Sequence, residues 1–143
     1  VLDYGCGSGI LAVAAAMLGA DRVIATDIDP QALTATRDNA ARNGVADKIL
    51  PCLPAALDAA MGDARADIVV ANILAGPLTE LAGAITARLQ PGGRVALAGL
   101  LRSQAAEVAD AWREHGVTLE IEDEREDWVR LAGRQAGSRR SKV

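Results

Sequence analysis

VLDYGCGSG, residues 1–9, contains the most informative pattern of this chain. Residues 1–3 predict a short buried strand, and Gly5, Gly7 and Gly9 follow at alternate positions. Glycines at such a place allow a tight turn, a close approach of the backbone to a ligand, and tight packing of the next helix. In an open parallel sheet, ligands bind at the carboxyl ends of the strands, normally just after the first strand. The stretch therefore predicts an α/β fold with a ligand site at the glycines.

The rest of the chain alternates apolar runs with longer Ala- and Leu-rich helical segments, which is typical of a parallel sheet with helices on both faces. Seven strands are predicted, at residues 1–3, 22–27, 48–50, 67–72, 94–99, 118–122 and 128–132. The acidic run EDERED, residues 122–127, is too short for a helical crossover between the last two strands. We therefore expect a seven-stranded sheet that is mostly parallel, with an antiparallel last strand.

Local signals place the helices between these strands. The first helix is expected at about residues 9–18, and Pro30 begins the second, with Asp29 as its cap. The segment GPLTELAGAITARL, residues 76–89, predicts one helix, and QPGG, residues 90–93, predicts a turn. The apolar face of this helix is expected to contain Leu78, Leu81, Ile85 and Leu89. Ser103 is the expected N-cap of a last helix that runs to His115.

Composition excludes several classes of function. The chain has 143 residues, which predicts one domain, and its net charge of −4 argues against direct binding of nucleic acid through phosphates. Two cysteines and one histidine are too few for a disulfide framework or a zinc site, so we expect no metal. The low cysteine usage makes a reducing cytoplasm the expected location. No apolar run approaches the length of a membrane span and no signal-peptide pattern is recognised, so we expect a soluble domain.

Two acidic residues indicate which kind of ligand binds at the glycines. Asp27 closes the second predicted strand, where a carboxylate can accept hydrogen bonds from both hydroxyls of a ribose. The glycine spacing is G-x-G-x-G, one residue shorter than the dinucleotide fingerprint, and Asp3 stands just before it. A buried acid would repel a pyrophosphate but attract the ammonium and sulfonium of S-adenosylmethionine. A dinucleotide-dependent oxidoreductase is therefore the less favoured alternative.

These motifs resemble the seven-stranded, Rossmann-like methyltransferases that depend on S-adenosylmethionine. The resemblance rests on D-x-G-x-G-x-G after the first strand and on TDIDP, residues 26–30, at the end of the second. It implies that Asp3 and the backbone of Gly5, Cys6 and Gly7 face the methionine end of the cofactor, and that Asp27 binds the ribose. It also implies that Ile28 packs on one face of the adenine, with Cys52 and Leu53 on the other.

A closer resemblance is to the bacterial ribosomal protein L11 methyltransferases. It is carried over residues 1–134 by the ordered set LDYGCGSGILAVAAAMLGA, NGV, VVANILAGPL, PGG and EDWVRLAG. This family also has an amino-terminal substrate domain, and the chain begins inside a strand without Met, so we expect a fragment lacking that part. Residues 135–143 are expected to form a disordered basic tail.

The resemblance implies methylation of protein amino groups, with ribosomal protein L11 as the substrate. Asn72-Ile73-Leu74-Ala75 stands where related amino-methylating enzymes carry Asn-Pro-Pro-Tyr. Our hypothesis is that the Asn72 side-chain carbonyl and the Ile73 backbone carbonyl accept the hydrogens of the amine, and that Asn72 also borders the cofactor. The alternatives are an amino-methyltransferase for another protein, a nucleobase or a small molecule, and a cofactor-binding module without activity.

Overall fold

The computed structural model describes residues 1–137, in which strands and α-helices alternate along most of the chain. The seven strands of this part are β1 (Leu2–Tyr4), β2 (Val23–Thr26), β3 (Ile49–Cys52), β4 (Ala66–Asn72), β5 (Leu89–Leu101), β6 (Val117–Arg125) and β7 (Trp128–Gln135). Its six α-helices are α1 (Ile10–Met17), α2 (Pro30–Arg42), α3 (Leu57–Met61), α4 (Ala75–Glu80), α5 (Ala82–Thr86) and α6 (Ala105–Arg113).

The strands form one sheet in the order β3-β2-β1-β4-β5-β7-β6. β1 pairs in parallel with β2 and β4, and β2 pairs in parallel with β3. β7 is antiparallel to both β5 and β6. The predicted fold class, a Rossmann-like seven-stranded sheet with an antiparallel last strand, is therefore confirmed.

The chain divides into two compact units, one of residues 1–65 with 69–72 and the other of residues 66–68 with those from 73 onward. In the first unit, α1 and α2 belong to a core built almost entirely from small and medium-sized apolar side chains. Its buried members are Cys6, Ala12, Val13, Ala16, Val23, Ala25, Leu33, Ala40, Val45 and Ile49. Because three helix positions in this core are alanine, the helix backbones can pack closely without any aromatic side chain.

The helix starts of the first unit agree with the sequence. α2 begins at Pro30, and the Asp29 side chain accepts a hydrogen bond from the Gln31 N–H at 2.9 Å, which confirms the predicted cap. α1 begins directly after Gly9, which has a positive φ of 83°. Both helices therefore start where the turn residues place them.

The second unit contains two corrections at residues 76–93. The single predicted helix is two short ones, α4 and α5, which meet at Leu81. The apolar periodicity did not reveal this break because helical hydrogen bonds continue across it, from the Leu81 N–H to Pro77 and from the Ile85 N–H to Leu81. The turn predicted at QPGG lies within the range of β5, where the chain bends at Gly92 with a φ of 78°.

A further correction concerns the start of α6. Ser103 is not the N-cap, because residues Arg102–Gln104 form a turn of 3-10 helix before the α-helix begins. The Gln104 side chain instead folds back, and its Oε1 accepts a hydrogen bond from the Leu101 N–H at 2.9 Å. The side-chain hydrogen bond at the start of this helical segment is therefore made by Gln104 and not by Ser103.

The predicted hairpin of β6 and β7 is present and tighter than expected. β6 extends to Arg125, so only Glu126 and Asp127 form the turn, and Glu126 has a positive φ of 55°. Gln135, assigned to the tail, pairs with Val117 in the hairpin, and the Ala136 N–H donates to the Gly116 carbonyl. The rest of the predicted disordered tail, from residue 138, lies outside the described residues.

One finding bears on membranes. Within residues 1–137, none of the helices combines the length and the apolar character needed to cross a bilayer.

The largest fully buried side chain of the second unit generates a stability prediction. Trp112 has no exposed surface, and its Nε1–H donates to the Leu78 carbonyl at 2.9 Å. Trp112→Phe is expected to lower the free energy of unfolding by about 1–3 kcal/mol, because it removes a buried hydrogen bond and part of the ring. Urea unfolding measures this change.

Trp128 provides the matched control, since its side chain is 52% exposed. Trp128→Phe is expected to change the free energy of unfolding by no more than about 0.5 kcal/mol. Equal losses for the two variants would contradict the role given to Trp112.

Candidate functional site

The carboxyl ends of four parallel strands lie side by side in the first unit. Tyr4, the last residue of β1, is the register partner of Thr26 on one side and Ala71 on the other. Thr26 is in turn the partner of Cys52. The residues that follow these positions along the edge are Leu53, Asp27, Gly5 and Asn72. The sheet therefore brings together, at one edge, four residues predicted for the site.

The glycine loop, residues 5–9, crosses this edge between β1 and α1. The N–H groups of Gly5 and Cys6 both donate to the Thr26 carbonyl, at 2.8 and 3.0 Å. The Gly9 N–H donates to the Cys6 carbonyl at 2.8 Å, which closes a tight turn. All three glycines of the loop have a positive φ, between 53° and 83°, a region that side chains disfavour. The alternating glycines are thus a requirement of the loop backbone.

Asp27 joins β2 to the glycine loop. Its Oδ2 accepts a hydrogen bond from the Gly7 N–H at 2.9 Å, and its Oδ1 accepts one from the Asp29 N–H at 3.0 Å. Because of these two hydrogen bonds, the carboxylate faces the loop and is not turned out to bulk solvent, and the residue is half-buried. Each carboxylate oxygen has a further lone pair, so the group can still accept hydrogen bonds from a ligand.

Asp3 lies beneath the loop on β1 and is almost completely buried, with 1% of its surface exposed. Its Oδ2 has no hydrogen-bond partner in the described structure. Burial raises the pKa of the Asp3 carboxyl to about 6, a hydrogen bond from the Ala12 backbone opposes this rise, and the charge of Asp27 adds to it. A buried carboxylate with an unpaired oxygen is costly, unless a positively charged ligand faces it.

The residues predicted to flank an adenine differ in exposure. Ile28 follows Asp27 and is 83% exposed, and Leu53 is 41% exposed. Cys52 is half-buried at the end of β3, and burial raises the pKa of its thiol. Ile28 and Leu53 therefore expose apolar surface at this edge of the sheet.

Asn72 is exposed at the end of β4, beside the start of the glycine loop. Ile73 is the next residue along the chain and is half-buried in the second unit. The structure therefore brings Asn72 to the same edge as Asp27.

Two residues of the site carry no signal in the sequence. Thr36 and Asn39 lie on α2, far along the chain from the glycine loop, and both hydrogen-bond to it: the Thr36 hydroxyl donates to the Gly7 carbonyl, and the Asn39 amide donates to the Ser8 carbonyl. Polar residues three positions apart on a helix are common, so only the packing of α2 on the loop reveals their role.

The residues present fit a positively charged nucleoside ligand. A Cβ at Gly7 would meet no atom within 4 Å, so open space lies directly beside the loop backbone. Two carboxylates border that region, and residues 3–9 and 26–29 contain no Lys, Arg or His. This charge distribution suits a cation better than a pyrophosphate. Within residues 1–137, no three His, Cys, Asp or Glu side chains are grouped as a metal ion would require.

Comparison with known proteins relates this chain to one protein family. The family model of ribosomal protein L11 methyltransferase (PrmA) matches residues 1–136. A ribosomal protein L11 methyltransferase from Chromohalobacter salexigens is 60% identical over 135 residues, which cover 94% of this chain and 44% of the relative. The chain thus spans less than half the length of this relative.

Solved structures agree. The crystal structure of a ribosomal protein L11 methylase from Lactobacillus delbrueckii subsp. bulgaricus has a TM-score of 0.84 and 36% identity, and the match covers 94% of this chain and 68% of that one. A precorrin-6y C5,15-methyltransferase from Geobacter metallireducens has a TM-score of 0.75 and 21% identity, with 95% and 79% covered. The second likeness supports the fold alone.

The burial of Asp3 generates a prediction about stability and pH. The folded state holds the Asp3 proton up to a pKa of about 6, whereas the unfolded chain releases it near 3.8. The unfolded state therefore binds fewer protons between these values, and the contribution of Asp3 to stability falls as pH rises through this range, by roughly 3 kcal/mol at most. Asp3→Asn removes the charge, so the variant is expected to gain stability over the wild type at pH 7.5 but not at pH 4.

Urea unfolding of both proteins at the two pH values measures this difference. Asp38→Asn, which neutralises an exposed acid on α2, serves as the control and is expected to show no such pH-dependent gain. A constant difference between Asp3→Asn and the wild type at both pH values would contradict the buried charge.

Proposed function

The chain belongs to the ribosomal protein L11 methyltransferase family, and we propose that it binds S-adenosylmethionine and transfers the methyl group to amino groups of a protein, with ribosomal protein L11 as the substrate. The family match over residues 1–136 carries this proposal. The arrangement of the carboxyl edge, with two acids and an open glycine loop, supports it independently. The same proposal places the protein in the cytoplasm and residues 1–134 in its cofactor-binding domain.

The cofactor, when bound, supplies a methyl group made electrophilic by the positive sulfur. The Asp3 carboxylate faces this end of the ligand together with the backbone of Gly5, Cys6 and Gly7. The unpaired Oδ2 of Asp3 supports this role, because a nearby cation would offset the cost of burying the charge. Asp27 binds the ribose hydroxyls with the lone pairs that the Gly7 and Asp29 N–H groups leave unused.

Apolar contacts complete the cofactor site. Ile28 packs on one face of the adenine, and Cys52 and Leu53 on the other. The large exposed fraction of the Ile28 and Leu53 side chains supports this assignment, because covering them with an aromatic base removes apolar surface from water. With these assignments, Leu53 would hold the base, Asp27 the ribose and Gly5 the methionine end, which is the order of these residues along the edge.

The acceptor amine needs a free lone pair. For a lysine side chain with a pKa of about 10.4, deprotonation at pH 7 costs roughly 4.6 kcal/mol, and for an α-amine about 1.4 kcal/mol. The Asn72 side-chain carbonyl and the Ile73 backbone carbonyl accept hydrogens from the neutral amine and aim its lone pair at the methyl group. The exposed position of Asn72 beside the glycine loop supports this role.

A substrate assay distinguishes this proposal from its alternatives, which are methylation of another acceptor and cofactor binding without activity. The full-length protein is incubated with the cofactor and purified ribosomal protein L11, another protein, single-stranded nucleic acid or a small amine, and methyl incorporation is followed by mass spectrometry. Methyl groups on amines of L11 alone support the proposal. Methylation of another acceptor, or cofactor binding without transfer to any of them, would replace it with the corresponding alternative.

Asp27→Ala is expected to weaken cofactor binding roughly 10- to 100-fold, because charge-assisted hydrogen bonds to the ribose are lost. Asp27→Asn keeps the size and one carbonyl oxygen, so an intermediate loss is expected. Isothermal titration calorimetry with S-adenosylmethionine measures both. Asp38→Ala is the matched control on the exposed side of α2, and unchanged affinity in Asp27→Ala would remove this residue from the site.

Asn72→Ala is expected to lower kcat by about 10- to 100-fold, because the amine loses an acceptor that orients it. The loss in kcat should exceed the loss in cofactor affinity. Asn43→Ala, at the end of α2, is the control, since the Asn43 amide only bonds to Asn39 in the preceding turn. Full turnover in Asn72→Ala would show that another group orients the amine.

A further inference from the structure

The glycine loop is held from the side of α2 by two hydrogen bonds that the proposed chemistry does not use. The Thr36 hydroxyl donates to the Gly7 carbonyl at 3.2 Å, and the Asn39 Nδ2 donates to the Ser8 carbonyl at 2.8 Å. Thr36 has no exposed surface, so its hydroxyl has no water to bond with instead. Both contacts join residues about thirty positions apart, and thus they exist only in the folded chain.

Thr36 also fills the space beneath the loop. A Cβ added at Gly9 would lie 2.8 Å from the Thr36 Cγ2 and Oγ1, so the loop backbone rests directly on this side chain. The Cys6 Sγ lies 3.4 Å from the same Oγ1. Because the single hydroxyl proton goes to the Gly7 carbonyl, the Cys6 thiol is the donor in that contact. Burial raises the pKa of the Cys6 thiol, which keeps its proton in place.

The peptide groups of the loop are therefore fixed one after another. The peptide between Cys6 and Gly7 is bonded at both ends, to the Gly9 N–H and to Asp27. The next two peptides have their carbonyls bonded to Thr36 and Asn39. All peptides of the described chain are trans, so the N–H of Ser8 points away from α2, opposite to the Gly7 carbonyl. It has no partner within residues 1–137 and remains a donor for an oxygen of a ligand.

We propose that Thr36 and Asn39 are positioning residues, which hold the glycine loop in the shape that binds the cofactor. They touch neither the cofactor nor the acceptor and act through the orientation of the Gly7 and Ser8 peptides. This inference rests on the proposed function, since it takes S-adenosylmethionine as the ligand of the loop. A loop fixed before binding loses less conformational freedom on binding, and this raises affinity.

Four substitutions on α2 separate positioning from simple packing. Thr36→Val keeps the shape beneath Gly9 but removes the hydroxyl, and Thr36→Ser keeps the hydroxyl but removes the methyl group. Thr34→Val is the matched control, because the Thr34 hydroxyl bonds only to the Pro30 carbonyl in its own helix. Asn39→Ala tests the second hydrogen bond and serves as the alternative if Thr36→Val does not fold.

The readouts are the dissociation constants of S-adenosylmethionine and S-adenosylhomocysteine by calorimetry, the free energy of unfolding, and amide hydrogen exchange without ligand. We expect Thr36→Val and Asn39→Ala to raise both dissociation constants about tenfold, Thr36→Ser to change them less than threefold, and Thr34→Val to leave them unchanged. The Gly7 and Gly9 amides should exchange faster in Thr36→Val, while those of Val23 and Ala25 in β2 stay as in the wild type.

Wild-type dissociation constants in variants that are only less stable would overturn the proposal, as would unchanged exchange at Gly7 and Gly9. A wild-type protein that binds neither ligand would instead reject the proposed function. In that case hydrogen exchange still decides whether Thr36 and Asn39 fix the loop.

Discussion

The hydrogen bond from the Gly7 N–H to the Asp27 carboxylate is the interaction on which the first unit depends. It joins the loop after β1 to the end of β2 at a distance of 2.9 Å, and the loop backbone has a positive φ at Gly5, Gly7 and Gly9. The Thr26 carbonyl holds the start of this loop, and α2 holds its far side. The carboxyl edge is therefore shaped before any ligand arrives, and the acid that binds the ribose in our proposal is also a structural part of the loop.

Asp3 lowers the stability of the folded chain at neutral pH but favours the binding of a cationic ligand. A carboxyl group buried beneath the loop with a pKa of about 6 is unfavourable for the folded chain at neutral pH. An apolar residue at this place would pack more favourably, so the stability of the fold does not explain the acid. A cationic ligand facing Asp3 would recover part of this cost on binding. The same carboxylate would repel a pyrophosphate. The charge of Asp3 and the short glycine spacing therefore both argue against a dinucleotide ligand.

Three elements differ from the predictions made from the sequence, each for its own physical reason. The break between α4 and α5 at Leu81 leaves the apolar face and the helical hydrogen bonds almost intact, so periodicity carries no trace of it. Gln104 replaces Ser103 at the start of α6 because a longer side chain reaches back to the Leu101 N–H. The turn at Glu126 and Asp127 is shorter than the acidic run suggested, because β6 and β7 stay paired through the charged residues up to Arg125, despite an irregularity in register between Ile121 and Asp123. Only the start of α6 depends on one particular side-chain hydrogen bond, and none of the three features is encoded in the composition.

Local sequence patterns were sufficient to predict the alternation of strands and helices, the antiparallel last strand, the glycine loop, Asp3 within β1, and Asp27 and Asn72 at the carboxyl ends of β2 and β4. These follow from local patterns, because apolar periodicity, glycine and proline act within a few residues. Only the tertiary structure decided that Thr36 and Asn39 reach the loop, that Asp3 is buried with an unpaired oxygen, and that Asp27 is bound to Gly7. These contacts join residues about twenty to thirty positions apart or depend on complete burial, and both arise only when helices and strands pack together.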